Sequence, residues 1–97
     1  MEPLDFDGYV DVLRQRVFDY EGVHGTTHAP DFAVLMSDHT YAPEDWPVQA
    51  YEELVAHGHL NPYVSGIAQG SHAYGLLSAD GRNYVRQQQQ ERLAPGA

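Results

Sequence analysis

The chain of 97 residues carries fourteen acidic side chains against five basic ones, a formal charge of −9, and 42% of it is apolar. That length supports one domain with one modest core, and the absence of cysteine removes disulfide frameworks and thiolate chemistry. All five bases are arginine, so the ordinary lysine- and arginine-rich surface that holds polyanions is not expected.

No apolar run approaches the roughly 18 residues of a membrane span. The acidic opening, Met1 to Gly8, lacks the basic-then-apolar layout of a signal peptide. A soluble, cytoplasmic domain spanning 1–97 is the expectation.

Taken in order, residues 5–21 read as an amphipathic helix. Phe6, Val10, Leu13, Val17 and Tyr20 fall on one stripe at a period of 3.6. Asp5 or Asp7 caps its start, Arg14 and Arg16 lie off the stripe and are expected in solvent, and Gly22 and Gly25 end the helix. Residues 30–37 form a second, short helix with Phe32, Ala33, Leu35 and Met36 on one face. The same run also suits a buried strand, which periodicity does not separate from a short helix. Residues 43–57 form the third helix, opening on a proline-bounded turn at 43–47, with Val48, Tyr51, Leu54 and Val55 inward. Gly58 then stands where a left-handed cap is wanted, and Leu60 packs beneath it.

From Asn61 to Leu77 there is no charged residue, and Val, Ile and Tyr appear with Gly and Ser. Segments 63–68 and 72–77 read as two strands of a hairpin around Gln69-Gly70-Ser71. Ser78 caps a last helix, 78–92, with Tyr84, Val85 and Leu93 available to face inward, and 93–97 is a tail. The fold class expected is α+β: three helices, a β-hairpin and a C-terminal helix.

That order of elements is the order of a winged helix, and two stretches carry the resemblance. Leu54-Val55-Ala56-His57-Gly58-His59-Leu60 resembles the L-x-x-x-G-x-I/L step from a recognition helix into a wing. Tyr74-Gly75-Leu76-Leu77-Ser78-Ala79-Asp80-Gly81-Arg82-Asn83-Tyr84 resembles the Y-x-L-T-x-x-G-R-x-Y/L strand-to-helix junction of MarR- and PadR-like winged helices. The match covers about a third of the chain. Tyr74 stands four residues before Ser78 where the family pattern has three, so Gly75 takes the usual tyrosine position, and either Tyr74 or Leu77 faces the core.

The resemblance implies a recognition helix at 43–57 in the major groove, a wing against the DNA backbone, and often a dimer. Glu44, Asp45, Glu52 and Glu53 lie in that segment without a single base, and phosphates repel such a face. The leading expectation is therefore a non-enzymatic regulatory or adaptor module acting through protein contacts. Its contact residues would be Glu44, Asp45, Trp46, Glu52, Glu53, Tyr63 and Tyr74, with Tyr41 a further aromatic anchor. Self-association as a homodimer through the first and last helices fits the same picture.

The alternative is a DNA-binding transcriptional regulator of the MarR/PadR-like kind with an atypical acidic surface. It would use Thr40, Gln49, Arg82 and Arg86, helped by Thr26, Thr27, His28 and His39. A high-salt cytoplasm would make any chain acidic throughout.

Six histidines suggest a third possibility, a metal or pH sensor. His24 and His28, with His39 or Asp38, would be its ligands. His57 and His59 flank Gly58, and their rings are expected to point apart.

Catalysis and a cofactor are not expected. There is no nucleophile elbow, phosphate-cradling loop or HExxH motif. Asp38-His39, beside Ser37 and Thr40, are sequence neighbours expected to point in different directions.

Overall fold

The structure, a computed structural model, describes residues 3–62 and 74–93. It is an α+β fold of four helices and a two-stranded antiparallel sheet among those residues. The sequence assignments at 63–73, including Tyr63 and most of the hairpin, and at 94–97, lie outside them.

Helix α1, Phe6–His24, begins where the Asp5 carboxylate accepts a hydrogen bond from the Gly8 amide at 2.8 Å. It runs three residues past the expected stop. Gly22 sits inside the helix with open space around it, while Gly25, at φ +76°, supplies the left-handed residue and its amide bonds the Glu21 carbonyl. The buried stripe is Tyr9, Val10, Leu13, Arg14, Val17 and Glu21. Tyr20 is only half-buried, against the His24 ring.

Helix α2, Phe32–Leu35, is a single turn capped by Asp31, which settles the helix-or-strand alternative for a helix much shorter than 30–37. Helix α3, Trp46–Ala56, follows the expected proline-bounded turn, which occupies 43–45, so the helix proper starts three residues into the 43–57 segment. Pro47, Ala50, Tyr51 and Leu54 are its buried residues, with Val48 and Val55 at the margin. Its end is a Schellman motif: the His59 amide reaches the Leu54 carbonyl, the Gly58 amide reaches Val55, and Gly58 lies at φ +74°.

Strand β1, Leu60–Pro62, pairs antiparallel with β2, Gly75–Leu77, in the register Leu60↔Leu77. Asp31 adds an isolated bridge to Tyr74. Leu77 is the residue that enters the core, which answers the Tyr74-or-Leu77 question.

Helix α4, Ala79–Leu93, is capped by Ser78, whose hydroxyl accepts from the Gly81 amide at 3.0 Å and donates to the Gly58 carbonyl at 2.6 Å. Gly81 packs directly on the His59 carbonyl, and a Cβ there would collide with backbone. One junction thus joins the end of α3, the start of β1 and the start of α4. The core gathers Tyr9, Leu13 and Val17 of α1 with Phe32, Met36, Leu54, Leu60, Leu77 and Val85. No helix among the described residues is long and apolar enough to cross a membrane.

Candidate functional site

The acidic segment keeps its carboxylates outward. Glu44, Asp45 and Glu52 are exposed, and Glu53, half-buried, pairs with His57 Nε2 at 3.0 Å. Gln49 is exposed and donates to the Asp45 carboxylate, and Thr40 is exposed on the loop before α3. The described aromatic side chains of the expected contact set, Tyr41, Trp46 and Tyr74, are partly buried. Trp46 is half-buried in edge contacts with Phe6 and Tyr9, at 5.5 and 5.1 Å between ring centroids. The Tyr74 hydroxyl donates to Asp31 at 3.3 Å, and Tyr41 is half-buried with its hydroxyl enclosed.

The arginines depart most from expectation. Arg14 is not solvated but 5% exposed, its guanidinium lying 4.4 Å over the Tyr84 ring and donating to Asp11 at 2.6 Å. Its place follows from the helix period, since it lies four residues after Val10 on the buried side; the aliphatic stem fills that space and the flat head stacks on an aromatic face. Arg16, also expected in solvent, is half-buried in a two-pronged bond to Asp38 at 2.5 and 2.9 Å and donates to the Leu35 carbonyl. Arg82 donates to Glu21 at 2.9 Å. Arg86 is exposed, 5.9 Å over Phe18, and Arg92 is exposed near the end of α4.

Glu21 was legible only as a polar residue near a helix end. The residue is 9% exposed and its carboxylate takes two hydrogen bonds, from the Leu77 amide at 2.8 Å and from Arg82. The spacing of four from Val17 is the signal that places it on the buried stripe.

A second polar set lies between α1 and the loop that leads into α3. The Arg16 guanidinium beside Asp38 holds that carboxyl well below the usual carboxylate range, and Asp38 in turn raises Arg16. Asp38 Oδ1 also lies 3.0 Å from His39 Nδ1. The two sequence neighbours are therefore in contact with each other, against the expectation that they point in different directions. His39 is 4% exposed, its ring edge-on to those of Tyr9 and Tyr41. Burial pushes the Tyr9 hydroxyl up to about 12, with Tyr41 adding to the effect and Arg16 opposing it. His39, Tyr9, Ser37, Thr40 and Glu44 line an open cleft of about 370 Å³.

Among the described residues no three His, Asp or Glu side chains converge as ligands. His24 and His28 are exposed, while His39 is buried elsewhere. The His57 and His59 rings, expected to diverge, stack at 5.8 Å between centroids and 29° between planes, since the Schellman turn brings both to one side. His59 also packs on Tyr84, its Nδ1 is buried without a hydrogen-bond partner, and burial, then Arg14 and His57, lower its pKa against the opposing pull of Asp80.

No family model matches this chain, and neither a curated protein nor a solved structure shows significant similarity to it.

Proposed function

We propose that the chain is a winged-helix regulatory or adaptor module that works through protein contacts and performs no chemistry of its own. One observation carries this reading: the acids of 43–57 face solvent while the arginines are largely turned to internal use. Glu44, Asp45 and Glu52 are exposed. Arg14, Arg16 and Arg82 are each held by a carboxylate of the same chain. A duplex-binding surface neutralises roughly six to ten phosphates with free cations. Arg86 and Arg92 do not approach that supply. The helical order and the Gly58–Ser78–Gly81 junction support the winged-helix part of the reading.

A face of this kind suits a basic partner, and complementary charge there sets association rate and specificity more than raw affinity. Titration of isotope-labelled protein with a short arginine-rich peptide, followed by NMR, tests it. Shifts are expected at the amides from Glu44 to Glu53, and the double substitution Glu44→Gln, Glu52→Gln should remove most of them. Shifts scattered over the acids of α1, or untouched by the substitutions, contradict the proposal.

A further inference from the structure

We propose that the cleft between α1, the end of α3 and the first turns of α4 binds a small, neutral, planar ligand through an amide edge. The cleft encloses about 320 Å³, room for a compact ring system, and Arg14, His57, His59 and Tyr84 are among its walls.

Two polar atoms of those walls are left over from the fold. The Arg14 side chain is 6% exposed, and its Nε is buried without a hydrogen-bond partner among the described residues. His59 Nδ1 is buried and unpartnered in the same way. Arg14 and His59 both pack on Tyr84, at 4.4 and 4.8 Å from its ring centroid, so the two groups lie around one ring. Buried polar atoms are normally satisfied, and two on one cleft mark a recognition set that the chain does not complete by itself.

The chemistry of the pair defines the ligand. Arg14 Nε only donates. Burial, with Arg14 and His57 adding to it, keeps the His59 ring neutral at neutral pH, and a neutral imidazole offers Nδ1 as an acceptor in one of its tautomers. An amide supplies both needs, its carbonyl accepting from Arg14 and its N–H donating to His59. Flatness follows from the stack, in which His59 lies tilted at 38° on Tyr84 and His57 at 29° on His59. Both leftover atoms are closed to water as the side chains stand, and the exposed His57 ring, outermost in the stack, is the one that moves aside to admit a ligand.

Charge narrows the choice further. Asp7, Asp11 and Glu53 line the same cleft and repel a carboxylate or phosphate, while a cation meets Arg14 and brings no acceptor for its Nε. None of Glu44, Asp45 and Glu52 lines the cleft, so the proposal stands independently of the protein-contact reading.

The test is an NMR titration of isotope-labelled protein with benzamide. Acetophenone lacks the N–H donor, benzoate carries a negative charge, and benzamidinium carries a positive charge without an acceptor; all three keep the shape. Benzamide should give saturable shifts at the amides from Val10 to Arg14, from Glu53 to His59 and around Tyr84. Acetophenone should bind about tenfold more weakly, and each ion more weakly than benzamide. His59→Phe keeps a ring in the stack and removes Nδ1, so it should weaken benzamide about tenfold and erase its preference over acetophenone. If that variant fails to fold, the ranking of the four compounds on the unaltered chain decides. Absence of saturation, equal binding of acetophenone, tighter binding of either ion, shifts centred away from this cleft, or a His59→Phe chain that keeps the preference would each overturn the proposal.

Discussion

Glu21 shows what one side chain contributes here. It reaches from α1 to the backbone of β2 and the side chain of Arg82, so three elements meet on one carboxylate. Removing it leaves the Leu77 amide unsatisfied in the core, and Glu21→Ala should cost about 2–3 kcal/mol in chemical denaturation. A loss below about 0.5 kcal/mol, the scale of an ordinary surface substitution, would show that water replaces the carboxylate. His59 contributes to the pH dependence of stability. Its folded pKa is depressed by burial beside Arg14 and His57, so the unfolded chain binds its proton more readily. That stability is complete above the ordinary histidine value of about 6.5 and is lost as pH falls through the lower, folded value. Urea titrations at pH 7 and pH 5 should show the fall, and His59→Gln should flatten it; an unchanged slope would assign it to other groups. Neither residue was legible by type alone. The same period that places Val10, Leu13 and Val17 inward also carries Arg14 and Glu21 there, and only the partners Tyr84, Asp11, Leu77 and Arg82 make that tolerable. Those partners come from elsewhere in the chain, or in Asp11's case from the helix's own surface, so polarity outweighed periodicity in the sequence reading.

At the scale of elements, stop and start signals were the most readable. Asp5, Gly58 and Ser78 act where they were expected, because each cap depends on a residue's own backbone preference or on a hydroxyl or carboxylate within three residues. Lengths were less readable. Gly22 looked like a terminator, yet a helix tolerates a glycine for about 1 kcal/mol when a better cap follows at Gly25. The two interior glycines of α1 and α4 therefore give opposite predictions. Gly22→Ala, in open space, should stabilise by about 0.5–1 kcal/mol. Gly81→Ala gains the same helix propensity but drives a methyl into the His59 carbonyl, so it should destabilise by more than about 2 kcal/mol. Thermal unfolding of the two variants in parallel checks both. If Gly81→Ala were neutral, α4 would not be anchored on the α3–β1 turn as described. The two-residue Asp38-His39 motif was visible too, but its geometry depends on Arg16, twenty-two residues away on α1, and no local pattern encodes that reach.

For the whole molecule, the distribution of charge is what supports the proposed function. The nine net negative charges are not spread uniformly: Glu44, Asp45 and Glu52, before and on α3, are exposed, while three of five arginines are tied to carboxylates of the same chain. The sequence showed the acidic segment and the scarcity of bases. It did not show that three of the five arginines are tied to Asp11 and Glu21 of α1 and to Asp38 of the loop before α3, which makes the case against phosphate binding stronger than composition alone. The most direct measurement is a fluorescence-anisotropy titration against random duplex DNA at low salt, repeated at rising salt concentrations. The protein-contact account predicts no binding at the lowest salt. Binding that weakens as a power of the salt concentration would mean that Arg86 and Arg92, with arginines released from their partners, form a phosphate surface, and the account would be contradicted.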